Sequence, residues 1–487
     1  MASQILLALH KIFEMIHSNI LLDTATPFKR LFTVIFLCAL SHLCAQNKFS
    51  KNQVLEDMEY LMASLEEAHY NLYAYTPKSE FDKNYNAVRN SITKDSLSLL
   101  EATSVLQRVI SSANNGHTEI NFPAQSYGDY LYDEGTLFPL ELAFEYDRAL
   151  VRKNWSGNDQ IKPGDEVLSI NGMPIQEVLT HIYPQVSAER PYFKNTKIEL
   201  FSFPRYYWQV FGKQDEFKIA VRSIDTTKTY YLRAVPGLEG YEIKRTETVN
   251  SEPERELEFF GQAAYLNPGN FGGDEAKYQK FIDSAFVAIK KDEAQTLIVD
   301  LRNNLGGDDR YSDFMISYFA DKPFTWTSRF TLKTSSFLKA HVRQNNDTTS
   351  VYWQEVLNHK DGEIYQYDFD PYRPQPERKR FTGEVYVLVN RQSHSQAAVT
   401  AAQIQDNGFG IIVGEETGDY PSLYASVFRY PLPNTGISVQ VSKGYIERVN
   451  GSTAAEGVIP DIFIKDHLLD EKDEILEGLL MKINSGR

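Results

Sequence analysis

Two segments of this chain limit what it can fold into, because each is an apolar run that ends in a turn rich in Gly, Asn or Ser. The first is Leu297-Ile298-Val299-Asp300-Leu301-Arg302-Asn303-Asn304-Leu305-Gly306-Gly307, and the second is Val385-Tyr386-Val387-Leu388-Val389-Asn390-Arg391-Gln392-Ser393-His394-Ser395. Short apolar runs bounded by turn residues are the pattern of strands buried on both faces of a parallel sheet. The loops leaving the carboxyl ends of such strands are where open α/β sheets bind ligands. Gly306 and Gly307 let backbone N–H groups approach a ligand closely, and a helical pattern begins at Ser395. A hydroxyl beside exposed amide donors is the minimum apparatus for acyl transfer. Ser393 rivals Ser395 by proximity, and either serine suits a helix N-cap.

Around these segments, strand-like and helix-like patterns alternate from residue 237 onward, which predicts an α/β layered core over 237–487. Residues 320–380 interrupt the alternation with β-like and charged stretches. Nearer the N-terminus, Leu55, Met58, Leu61, Met62 and Leu65 form one helical stripe, and Leu99, Leu100, Val105, Leu106 and Ile110 form another. They predict a helical subdomain over 46–134 that runs into the loop Asn114-Asn115-Gly116-His117-Thr118 and a short strand. Residues 135–236 read as a β unit, with a Pro163-Gly164-Asp165 turn, an alternating strand and an Asn171-Gly172 turn before a helix. Residues 180–213, rich in Tyr, Phe and Pro, read as an insertion in that unit. A chain of 487 residues accommodates two or three such domains.

The N-terminus reads as an export signal with an extended lead-in, residues 1–45. Lys29-Arg30 precede an apolar run at 31–40, and Ser41-His42-Leu43-Cys44-Ala45 supplies a cleavage site before Gln46. The run is short for a bilayer span, so no stable membrane insertion is expected after cleavage. Cys38 and Cys44 both lie in this segment, which leaves the mature chain with no thiol for disulfides, nucleophilic catalysis or thiolate metal sites. Lipid attachment at Cys44 is disfavoured because Ser41-His42-Leu43 lacks the small residues it needs. The net charge of −15 becomes −16 on cleavage, since three basic residues (Lys11, Lys29, Arg30) and two acidic ones (Glu14, Asp23) are lost. That balance argues against nucleic acid and anionic membranes as partners.

Taken in order, the motifs resemble the C-terminal processing peptidases and tricorn-like serine proteases over nearly the whole mature length. They are the helical subdomain, Gly116-His117-Thr118, a segment 161–175 similar to a PDZ domain, the Tyr265-Leu266 strand, Asp300-Leu301-Arg302 with Asn304 and Gly306-Gly307, the serine turn, Gly414-Glu415-Glu416-Thr417-Gly418, and Gly457-Val458-Ile459-Pro460-Asp461. The resemblance implies a crotonase-like α/β core, with Ser395 as nucleophile, His117 as general base, and an oxyanion hole from Gly306, Gly307 and Gln396. One branch of the family carries a lysine base twenty-five residues past the serine; Tyr420 stands there, so the histidine branch fits better. His394, beside Ser395 in sequence, is the poorer base because adjacent side chains on a turn diverge. The family's third residue is a glutamate three before the final glycine turn; that position is Ala454, and Glu456 is the nearest carboxylate. The branch's serine before the histidine is Gly116.

The expected function is an exported, periplasmic or extracellular serine endopeptidase acting on peptides or unfolded protein tails, with no cofactor or metal. A PDZ-like domain holds an extended peptide by strand addition. The entrance Leu137-Phe138-Pro139-Leu140 lacks the usual carboxylate-loop glycines. The alternatives are a peptide- or ligand-binding protein of the same fold with weakened catalysis, and a crotonase-type enzyme acting on an acyl thioester. The latter is disfavoured by the PDZ-like segment.

Overall fold

The computed structural model describes residues 48–224, 226–248, 254–470 and 472–485, and the described residues from Phe49 onward form one compact unit. The export segment and both cysteines lie outside the described residues. Among the described residues no helix is long and apolar enough to cross a membrane. The fold is a mixture of helices and several sheets.

The core is a six-stranded sheet in the order Glu256–Phe260, Ala263–Asn267, Thr296–Asp300, Glu384–Val389, Ile411–Gly414 and Ile462–Phe463, parallel except for its first pair. Its two central strands are the apolar runs read from the sequence, and they pair Ile298 with Tyr386. Side chains alternate between two buried layers because successive residues of a strand point to opposite faces. Leu297, Val299, Val385, Val387 and Val389 pack with helices Glu275–Lys291, Asp309–Ile316 and Gln396–Asn407. Ile298, Tyr386, Leu388 and Val413 pack with helix Glu474–Asn484. Since both loops leave carboxyl ends of neighbouring parallel strands, the glycine turn and the serine turn meet at one edge.

A second, antiparallel sheet orders Ile364–Tyr367, Arg329–Lys333, Ser438–Glu447 and Leu423–Pro431. It recruits part of the 320–380 stretch, which holds two strands and helices Ser336–Asn345 and Val351–Asn358. The N-terminal helices Lys51–Ala68 and Leu99–Ile110 begin at Ser50 and Ser98 with reciprocal capping boxes. Their stripes, Met58, Leu61, Leu65, Leu106 and Ile110, share one buried cluster with Val439, Val441 and Phe428 of this sheet. The helices therefore form a core with strands more than three hundred residues away in sequence. Strand Glu119–Ile120 also adds to Ser438–Glu447, pairing Ile120 with Val439. That pairing carries His117 to the core.

A third sheet, antiparallel, runs in the order Thr226–Arg233, Glu216–Ser223, Glu166–Ile170, Arg148–Asn154, Leu140–Glu145. Asn171 and Gly172 take φ of 53° and 84° in a two-residue hairpin that pairs Ile170 with Met173, as the Asn-Gly signal predicts. The aromatic stretch 180–213 is largely helical, Pro191–Phe201 and Phe203–Phe211, and buries Phe203 and Tyr207 against Phe138. An ion pair ties it to the core sheet: Arg391 meets Glu199 at 2.8 Å and is itself held by Glu415 of the core at 3.0 Å, all three side chains being almost wholly buried.

Candidate active site

Ser395 stands where strand Glu384–Val389 has turned and helix Gln396–Asn407 begins, at φ 53° and ψ −123°. A non-glycine residue in that region carries strain of about 1–3 kcal/mol, and such outliers gather at functional sites. A serine at a sharp strand-to-helix turn is also the geometry that exposes a nucleophilic hydroxyl. Its side chain makes no capping hydrogen bond, although it occupies the N-cap position. Ser393 is different: its hydroxyl donates to the Leu301 carbonyl at 2.8 Å and accepts the Asn390 N–H at 3.1 Å. With no exposure and both roles filled, Ser393 braces the turn.

The glycine loop closes directly on this elbow. Gly306 has φ +83°, and a Cβ there would lie 2.6 Å from the Gln396 nitrogen and 2.8 Å from the Ser395 Cβ. Gly307 has φ +138°, and its Cβ would sit 1.8 Å from the Phe271 carbonyl oxygen. Only glycine satisfies both the backbone and the contact at each position. Gln396 is the first helical residue, so its N–H has no intrahelical acceptor. The Gly306 N–H is engaged, donating to Asn304 Oδ1 at 2.8 Å.

His117 arrives from the opposite side and is 6% exposed. Its loop is held on three sides: Gly116 N–H donates to Glu189 Oε1 at 2.8 Å, Lys197 Nζ donates to the Gly116 carbonyl at 2.7 Å, and Gln440 Nε2 donates to the His117 carbonyl at 3.0 Å. The ring stacks on His394 with centroids 5.0 Å apart and planes 11° apart. Burial lowers its pKa to about 4, partly opposed by the Asp419 charge. Burial likewise lowers the pKa of His394. His394 thus stands beside His117 rather than diverging from the site.

The carboxylate between them is Asp419, which has no exposure. Its Oδ2 accepts the Ser395 N–H at 2.9 Å and lies 3.7 Å from His117 Nε2 and 3.5 Å from His394 Nε2. Glu456 is not part of this group. Val458 N–H donates to Thr417 Oγ1 at 2.8 Å, and a Cβ on Gly457 would lie 2.1 Å from the Thr417 carbonyl, so the turn docks through these two residues. Glu456, one residue earlier, is left exposed.

A second acid, Glu189, was hidden in the aromatic stretch. A Cβ on Gly116 would lie 2.9 Å from its Oε2, so this carboxylate fills the space beside residue 116. Burial and the Asp419 charge raise its pKa to about 7. The signal for Asp419 lay in plain view, directly after Gly414-Glu415-Glu416-Thr417-Gly418 and before the Tyr420 that excludes a lysine base. No pattern marked Glu189.

The strained serine elbow, the glycine loop packed on it and the buried imidazole thus stand together at one edge of the α/β core sheet. Residues 262–464 match the model of peptidase family S41. That stretch holds the five strands of the core sheet from Ala263–Asn267 onward, the glycine loop, Ser395, Asp419 and Glu456, whereas strand Glu256–Phe260, His117 and Glu189 lie before it. The chain is 27% identical over 199 residues to the tail-specific protease of Haemophilus influenzae, a match covering 39% of this chain and 23% of that protein. The chain is similar in fold to mature CPAF complexed with lactacystin, with a TM-score of 0.63 at 17% identity, covering 89% of this chain and 97% of that one. It is also similar to mature CPAF solved on its own, with a TM-score of 0.59 at 16% identity over 85% and 92% of the two chains. At that identity the structures establish the shared fold.

Proposed function

We propose that this chain is an exported serine endopeptidase that cleaves peptides or unfolded protein tails, with Ser395 as nucleophile, His117 as general base and Asp419, in place of Glu456, as the carboxylate of the site. The observation that carries the reading is the strained Ser395, free of capping duty, whose own amide is bound by the carboxylate that faces the buried imidazole.

In the reaction, His117 takes the Ser395 proton as Oγ bonds to the substrate carbonyl carbon. It then gives that proton to the amine as the C–N bond breaks, leaving an acyl-enzyme. Water, deprotonated by the same ring, attacks the ester and restores the serine. Burial keeps His117 neutral near pH 7, the form that accepts a proton. Asp419 then stabilises the imidazolium electrostatically. The Gln396 N–H at the helix N-terminus meets the developing oxyanion; loss of one such donor typically lowers the rate about 10²–10³-fold. Gly306 joins it once Asn304 releases the amide, and Gly307 lends the loop its close approach. The sheet over 140–233, with its PDZ-like hairpin, offers an extended peptide a place to add as a strand.

One observation favours a weaker alternative, a binding protein of the same fold: the Gly306 N–H is engaged by Asn304. Labelling with a fluorophosphonate decides between the two. Modification of Ser395 that is lost in Ser395→Ala and strongly reduced in His117→Ala is the expected result. A folded protein that resists labelling while still binding peptides in calorimetry would transfer the assignment to the binding protein.

A further inference from the structure

Three buried lone-pair atoms converge at the elbow in a way that proton transfer alone does not require. His117 Nε2 and His394 Nε2 face the same oxygen, Asp419 Oδ2, at 3.7 and 3.5 Å, and the three lie within 4.8 Å of one another. Both ring nitrogens are buried without a hydrogen-bond partner, as is His117 Nδ1. In His394 the other nitrogen, Nδ1, points at the Leu305 carbonyl oxygen at 3.3 Å. A carbonyl oxygen only accepts, so Nδ1 carries the proton and Nε2 presents its lone pair toward the carboxylate. The His394 lone pair and the anionic oxygen face each other across a small buried space that a cation would fill, and His117 Nε2, whose tautomer no partner fixes, is free to turn its own lone pair to the same point.

We propose that His117 Nε2, His394 Nε2 and Asp419 Oδ2 form a transition-metal site, taking Zn²⁺ readily, and that its occupancy shuts down the hydrolytic centre. Two imidazoles and a carboxylate are a ligand set suited to zinc, with a fourth position open to water. Ligands about 2.0–2.1 Å from a tetrahedral zinc stand roughly 3.3 Å apart. The two histidine–aspartate separations are already close to that value, and the site is completed by the two rings drawing together. The Leu305 carbonyl on His394 Nδ1 fixes the metal-binding tautomer, the usual service of a partner to a ligating histidine. Inhibition follows from the bound charge: a cation on His117 Nε2 withdraws electron density from the whole imidazole and holds the ring at Asp419, so it no longer serves as a base for the serine. Lys197, whose Nζ binds the Gly116 carbonyl and Glu119, adds positive charge nearby, which lowers the affinity for a cation. The inhibition rests on the reading of His117 as the base, whereas the binding does not.

The test uses the untagged chain, stripped by a chelator and titrated with Co²⁺ as a spectroscopic probe, with Zn²⁺ competing. One equivalent should develop the intense visible bands of tetrahedral cobalt, and Zn²⁺ should erase them. His394→Gln and Asp419→Asn should weaken binding more than the 10–100-fold typical of losing an outer-shell partner. Ser395→Ala should bind Co²⁺ normally, and Zn²⁺ should block fluorophosphonate labelling of the parent protein until a chelator is added. Absence of the bands in the parent protein, or equal binding in folded His394→Gln and Asp419→Asn, overturns the site. Bands without labelling of the metal-free protein would keep the site and reject the hydrolase.

Discussion

Lys443 gives the structure a measurable liability that one substitution removes. It lies on strand Ser438–Glu447 and is 3% exposed, with its ammonium donating to the Ser426 carbonyl at 3.0 Å and to the Ser426 hydroxyl. The rings of Tyr352 and Trp353 lie 5.9 and 5.6 Å away. Among the described residues no carboxylate pairs with it, and burial pulls its pKa from 10.5 to about 7. At about 1.4 kcal/mol per tenfold change, that gap corresponds to a penalty on the order of 5 kcal/mol for holding the charged form. Between pH 7 and 10.5 the unfolded chain binds a proton that the native chain has released, so stability rises with pH across that window. Below it both states are protonated and the full penalty applies. In Lys443→Met the penalty disappears, offset by roughly 1–3 kcal/mol for the lost hydrogen bonds and ring contacts. The variant should therefore be more stable than the parent by about 3 kcal/mol near pH 6 and about equal to it near pH 9, where roughly 2 kcal/mol of penalty remains in the parent. Urea unfolding of both proteins at the two pH values measures this directly. A methionine variant with the parent's pH slope, or one less stable at both pH values, would refute the argument.

Four further substitutions probe the site and its support. Gly306→Ala should reduce fluorophosphonate labelling at least about 10²-fold, because the methyl group enters the contact with the Gln396 amide at a φ that alanine rarely adopts; unchanged labelling would place the oxyanion elsewhere. Asp419→Asn should slow peptide hydrolysis by about 10²–10⁴-fold while Glu456→Gln leaves it unchanged, and the opposite ranking would restore Glu456 as the third residue. Asp57 is fully buried and accepts from Asn434 N–H at 2.8 Å, Thr435 N–H at 2.8 Å and the Thr435 hydroxyl at 2.6 Å, pinning the first helix to the turn after Leu423–Pro431. Asp57→Ala should lower unfolding stability by about 2–4 kcal/mol, since it strands several buried donors; thermal melting within a degree of the parent would show that the tether carries no weight.

By itself the sequence determined the elements whose information is local. The central strands were legible because residues buried on both sheet faces must be apolar in continuous runs, and Gly306, Gly307, Asn171 and Gly172 marked backbone conformations that other residues resist. The helical stripes at 55–65 and 99–110 were legible for the same reason, since a periodic face records that something covers it. It does not record what covers it, and the cover proved to be strands Leu423–Pro431 and Ser438–Glu447. Tertiary structure alone decided the site's polar partners. Ser393 and Ser395 are equivalent in sequence until the turn folds and gives one its two hydrogen bonds and the other its strained exposure. Glu456 was the nearer carboxylate along the chain, yet docking of Gly457 and Val458 on Thr417 turns it outward, while Asp419 is carried inward by the same segment. Glu189 and His394 reach His117 through packing between distant segments, which leaves no periodic trace in the sequence. A carboxylate's role depends on the few ångströms separating it from a partner, and that distance exists only once the chain has folded.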